Sequence, residues 1–308
     1  MSARHVLGVV AVVLFMAWGH HASAQELPQS CSDADHLLES GQDYSRAILL
    51  YNDCLSNDMS PELKAAAHLG RGLAYSNLGQ HEGAIVDFTS AIRMFPSFAL
   101  SYYYRGSSEY DLGQMDAAVE DLSTATMLKP DYGSAYFTRG NVYTDIHEYE
   151  LALQDYTTAI NVDPSMSDAY FNRGNAYSSL ERYEESLQDY TTYIEMVRDD
   201  PDGYFQRGIC NSQLGRYQEA LEDYDRSIEL NPDNYEAYHN RAYDHAQLGH
   251  YDNALADFTR AIELNPESAT SYFSRAVIYM MLKRVDEAHA DIARVKELDP
   301  SMDTSMFK

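Results

Sequence analysis

Three cysteines, eleven histidines and a recurrent arginine–aspartate pair are the side chains of this chain with chemistry to offer. A zinc site on a helix needs two histidines one turn apart, and no His-Glu-x-x-His segment occurs. His239 and His245 share one expected helix but stand six residues apart, off the spacing that puts two ligands on one face. His81 and His147 fall in expected turns. There is no glycine-rich phosphate loop and no Gly-x-Ser-x-Gly elbow to present a nucleophile. These residues imply no catalytic group, no metal, no cofactor and no enzyme. The pairs are more regular: Arg71 and Asp87, Arg105 and Asp121, and so on to Arg275 and Asp291, always sixteen residues apart. That spacing suits an ion pair between two helices of a hairpin or between nearest neighbours. A ladder of ligand-binding arginines is the functional alternative.

The elements that must position these pairs come from a 34-residue period. Gly72, Gly106, Gly140, Gly174, Gly208, Ala242 and Ala276 are each 34 residues after the last, and such a period marks a solenoid. In the unit from Gly133 to Met166, Tyr136, Phe137, Val142 and Tyr143 have helical spacing, and so do Leu151, Leu153, Tyr156, Ala159 and Ile160. Asp145 to Glu148 form the turn between two helices, and Asp163-Pro164 ends the second. One hairpin of this kind has apolar surface on both sides, so its neighbours must cover it. Because alanine shares the glycine column at Ala242 and Ala276, the property required there is smallness for close helix approach.

Tyr136, Gly140, Tyr143, Ala152, Tyr156, Ala159 and Pro164 stand at positions 4, 8, 11, 20, 24, 27 and 32 of this unit, where the pattern closely resembles the tetratricopeptide repeat. Six more copies follow in register, and the resemblance implies an all-α, right-handed α-solenoid of helix-turn-helix repeats. It comprises seven clear repeats over 65–302, a degenerate N-terminal repeat or cap over 25–64, and a tail over 303–308. In the degenerate repeat the first helix, around Asp33 to Leu38, looks short. The repeat at 167–200 carries Tyr193 in place of alanine and Arg198 in place of proline, with Pro201 three residues late, so a longer second helix is expected there. The last repeat is more apolar, through residues such as Val277, Met280, Met281 and Val295, and the tail looks too short to cover it.

Residues 1–24 read as a secretory signal peptide: Arg4, an apolar run from Val6 to Trp18, and Ala22-Ser23-Ala24 before a cut at Gln25. The run is shorter than the roughly 20 residues that span a bilayer, so no membrane span is expected in the mature chain, a retained anchor being the alternative. The segment holds one of the 22 basic residues and none of the 48 acidic ones, so its removal leaves a formal charge of −27. No Lys/Arg stripe remains, which makes nucleic acid and anionic membranes poor partners. A periplasmic or secreted location follows, and in that oxidising setting Cys31 and Cys54 are a candidate disulfide worth on the order of 3 kcal/mol. Cys210 reads as a small core residue.

Arrays that resemble this one bind extended peptides in a concave groove lined by the first helix of each repeat. The resemblance carries a peptide-binding role onto positions 5, 9, 12 and 13. Position 5 supplies Tyr103, Phe137, Phe171, Phe205, His239 and Phe273, and position 9 supplies Asn141 and Asn175. The family's clamp for acidic chaperone tails needs Lys or Arg beside such asparagines, and these are absent. The expectation is a non-enzymatic adaptor or scaffold of the bacterial envelope for neutral or basic segments of other proteins. The alternative is a self-associating component, a homodimer through the apolar last repeat.

Overall fold

The computed structural model describes residues 27–307, and the expected signal segment lies outside the described residues. Those residues form sixteen α-helices, no strand, and one closing turn of 3-10 helix. No helix among them is long and apolar enough to cross a membrane. The chain divides into two compact units, one ending at Pro164 and one beginning at Ser165.

The first unit holds α1 (Gln29–Ser40), α2 (Tyr44–Ser56), α3 (Pro61–Asn77), α4 (His81–Met94), α5 (Ala99–Asp111), α6 (Met115–Leu128), α7 (Gly133–Asp145) and α8 (Tyr149–Val162), paired in order as hairpins. The second holds α9 (Ser167–Ser179), α10 (Tyr183–Met196), α11 (Pro201–Gln213), α12 (Tyr217–Leu230), α13 (Tyr235–Gln247), α14 (Tyr251–Leu264), α15 (Ala269–Met281) and α16 (Val285–Leu298). Within a hairpin, a small residue of the first helix meets a large one of the second. A methyl group at Gly140 would come within 2.7 Å of the Tyr156 ring, and one at Gly208 within 2.7 Å of the Tyr224 ring. Interiors packed this closely have no room for that atom.

The turn between paired helices makes its own demand. Gly79, Gly113, Gly215 and Gly249 have φ between 71° and 78°, the left-handed region that a side chain disfavours. His147, Glu181 and Lys283 hold the same place in their repeats at φ 59–63°. Glu181→Gly is therefore expected to raise stability by about 0.5–1 kcal/mol. Gln188→Gly, in the exposed interior of α10, should lower it by about 1 kcal/mol. Urea melts of the two variants beside the parent would separate these effects, and a loss in Glu181→Gly would refute the strain.

The arginine–aspartate pairs are the second device. Arg139 donates from Nε and Nη2 to both carboxylate oxygens of Asp155, each at 2.7 Å. The same two-pronged bond recurs from Arg71 with Asp87 to Arg275 with Asp291. The arginine side chains of these pairs are 15–24% exposed and the aspartates 2–11%. The third guanidinium nitrogen reaches back to the preceding hairpin: Arg71 to Asn52 at 2.6 Å and Arg139 to Ser123 at 2.9 Å in the first unit. In the second unit Arg241 reaches Asp225 at 2.6 Å and Arg275 reaches Thr259 at 2.9 Å. Each of these four arginines thus holds its own hairpin closed and fastens it to the one before. Tyrosine rings flank the guanidinium, Tyr136 and Tyr143 lying 5.6 and 5.8 Å from that of Arg139.

Several sequence expectations change. The first helix of the terminal hairpin is a full 12 residues, and a disulfide joins Cys31 to Cys54 with their Cα atoms 5.0 Å apart. Helix α3 begins at Pro61, with Ser60 as its cap, so it crosses the boundary drawn at residue 64. Helix α10 is no longer than its counterparts: it ends at Met196 after 14 residues. Val197 there adopts φ −128° and ψ 80°, close to the residue that ends the second helix of each other repeat from residue 65 on, so the stop does not need proline. Pro201 instead opens α11, capped by Asp200. Tyr193 is accommodated because position 3 of the next repeat is Gly203, where a methyl group would lie 2.9 Å from its ring. The tail also covers more than expected. Phe307 is buried against the last hairpin and stacks edge-on with Phe273, centroids 5.6 Å apart.

Candidate functional site

The rings at position 5 of the first helices close the hairpins more than they face outward. Phe137 packs on Tyr156 at 6.0 Å, Phe171 on Tyr190 at 5.6 Å, and His239 on Phe258 at 5.3 Å. Tyr103 and Phe205 are only 4% and 9% exposed: Tyr103 packs on Tyr104 and on Tyr132 before the next hairpin, and Phe205 packs on Tyr224 within its own. Phe273 meets Phe307 edge-on, on a tail that the sequence pattern did not show folding back. His239 shares a hydrogen bond with Ser271 Oγ at 2.9 Å, and burial lowers its pKa. The asparagines are engaged as well. Asn141 accepts from the Tyr156 hydroxyl at 2.8 Å and Asn175 from the Tyr190 hydroxyl at 2.5 Å, so the tyrosines of the core consume their carbonyls.

First-helix side chains at positions 6, 9, 12 and 13 of two successive repeats line an open surface. In the second unit these residues frame a cleft of about 250 Å³ between α11 and α13, floored by α12. Ile209, Ser212 and Gln213 form one wall, Asn240 and Tyr243 the other, and Tyr217 and Tyr224 the base. Tyr243 is 49% exposed. The chemistry available is that of binding: aromatic faces, two side-chain amides that both donate and accept, and a hydroxyl. Among the described residues no group of three His, Cys, Asp or Glu side chains could hold a metal ion.

Behind this cleft stands a residue that the repeat pattern did not single out. Asp244 is fully buried, its Oδ1 accepting from Ser212 Oγ at 2.7 Å. Its Oδ2 has no hydrogen-bond partner, and burial pushes its carboxyl up to about 6. The same position carries Ala74, Ser108, Val142, Ala176, Cys210 and Ile278 elsewhere, so an acid in a column of small or apolar residues was the available signal. Glu109 is a second case. It stands where the repeat places tyrosine, beside the Arg105–Asp121 pair, and burial together with the Asp121 charge raises it to about 7.

Tetratricopeptide repeat models match residues 65–98, 167–200, 201–234 and 239–303, and a TPR repeat model matches 106–146 and 140–180. No curated protein matches the chain. Among solved structures, the C-terminal part of a TPR repeat-containing protein from Cytophaga hutchinsonii is similar at TM-score 0.65 and 18% identity, over 78% of this chain and 97% of that one. YrrB, described as a TPR protein with an unusual peptide-binding site, is similar at TM-score 0.58 and 23% identity, over 61% and 97%. A tetratricopeptide repeat protein from Parabacteroides merdae reaches 0.56 at 20% identity, over 79% and 96%. Phased models over most of the chain, and hairpins built as its columns require, make it a member of the tetratricopeptide repeat family, a protein–protein interaction adaptor or scaffold.

Proposed function

We propose that the protein is an exported, non-enzymatic adaptor of the bacterial envelope that holds neutral or basic peptide segments on the first-helix face of its repeats. The cleft between α11 and α13 carries this reading, because it is where open aromatic and amide side chains converge. The acidic balance, 48 Asp and Glu against 22 Lys and Arg, attracts basic segments and repels acidic ones. Export is supported by the signal-like residues 1–24 and by the disulfide, which persists in an oxidising compartment. Self-association is the second reading, favoured by the exposed Met281, Val285 and Met306 on the last hairpin and tail.

Affinity capture from native periplasm tests both, using the mature chain and its Ile209→Ala/Gln213→Ala/Tyr243→Ala variant. A heterologous protein that the parent captures, and that the equally stable variant loses, supports the adaptor. Undiminished capture by the variant removes the cleft from the reading. Recovery of this chain alone favours self-association.

A further inference from the structure

We infer that the cleft between α11 and α13 receives a lysine side chain of the bound segment, whose ammonium group neutralises the buried Asp244; this rests on the peptide-adaptor reading above. The motivating fact is an electrostatic debt inside the repeat. Asp244 occupies a position filled elsewhere by small or apolar side chains, is shut off from solvent, and has one oxygen bonded only to Ser212 and the other to nothing. The groups that bear on it from the packed helices are Ser212 of α11 and the Tyr224 phenol of α12, neither of them a cation. A buried carboxylate without a counter-charge is strongly disfavoured, and its raised pKa is the expression of that penalty. Every other buried aspartate in the second unit, Asp189, Asp223, Asp257 and Asp291, has an arginine.

The position of the cleft supplies what the fold does not. Ser212 lines it and donates to Asp244 Oδ1 at 2.7 Å, so a single hydroxyl stands between the cleft and the buried carboxylate. At about 250 Å³ it is below the size of a pocket for a drug-sized molecule and suits one long side chain. Tyr217 and Tyr243 line the cleft with aromatic rings that can meet a cation, and an ammonium on a narrow stem enters such a slot more readily than a planar guanidinium. Gln213 and Asn240 at the rims are placed to bond the backbone on either side of the lysine.

The test uses the mature chain and three blocked, fluorescently labelled heptapeptides that differ only at the centre: lysine, acetyl-lysine or norleucine. Fluorescence polarisation is expected to show the lysine peptide binding at least tenfold more tightly than the other two. Asp244→Asn keeps the shape and the Ser212 bond, so it should melt at a higher temperature than the parent at pH 7.5 and bind all three peptides within twofold. Equal affinity of the parent for the three peptides overturns the lysine pocket, and so does a lysine preference that survives Asp244→Asn. Both outcomes leave the adaptor reading standing, since the peptides bind. Failure of the parent to bind any of them also overturns the pocket, and the adaptor then stands or falls by the capture experiment.

Discussion

Asp155→Ala is expected to destabilise the protein by about 3–5 kcal/mol, far more than a surface ion pair is worth. The difference comes from what is left behind. Arg139 keeps its charge in a site where its side chain is 17% exposed, retaining only hydroxyl partners at Ser123 and Thr126. Arg139→Ala removes the link to the preceding hairpin along with the pair, so it should also be costly. Removing both charges eliminates the uncompensated one, and the double variant should be more stable than the sum of the two losses predicts, by about 2 kcal/mol. Denaturant midpoints of the four proteins give this coupling directly, and a value of zero would show that the pair contributes packing alone. The pairs are not equal in their surroundings. Burial resists ionisation of Asp87, yet bonds from Arg71 and His68 hold its carboxyl below the usual range. Burial prevails over the Arg173 bonds at Asp189 and raises it.

The second large effect is on pH. Asp35 and Asp244 are raised to about 6 and Glu109 to about 7, burial being the main cause in each. An acid with a raised folded pKa holds its proton in the native state after the unfolded chain has released it. Its penalty therefore grows as pH rises from about 4, the unfolded value, and is complete above the folded one. Each of the three should take on the order of 1–3 kcal/mol from stability between pH 4 and pH 8. His239 and His245, lowered by burial, act in the opposite direction as pH falls below about 6.5. The variants isolate the acids: Glu109→Gln and Asp244→Asn should each flatten the loss of stability between pH 5 and pH 8. Parallel pH profiles for variant and parent would rule the acids out as its source.

Much of this architecture was legible because the repeat writes each contact seven times. The glycine column foretold the close approach of paired helices, and the sixteen-residue offset foretold the ion pairs, since both are periodic. What the period could not reveal is where one copy answers another. The bond from Arg241 to Asp225 joins two repeats, and neither position alone suggests it. The surface was harder for the same reason. Helical spacing puts Phe137 and Tyr103 on the first helix, but only the partner ring decides whether they face outward. Asp244 was missed because attention to matching columns passes over a single mismatch, and here the mismatch carries the chemistry.

Tyr193 and Gly203 have a consequence for how such a protein can change. The enlarged side chain closing one hairpin is tolerated only because the next begins with a residue that has no side chain at that point. The repeats at 167–200 and 201–234 are therefore matched neighbours rather than interchangeable tiles. A recombination that placed a repeat with alanine at its third position after Tyr193 would drive a methyl group into the ring. The succession of repeats is thereby inherited as a sequence of fitted joints, and shuffling is restricted at this junction.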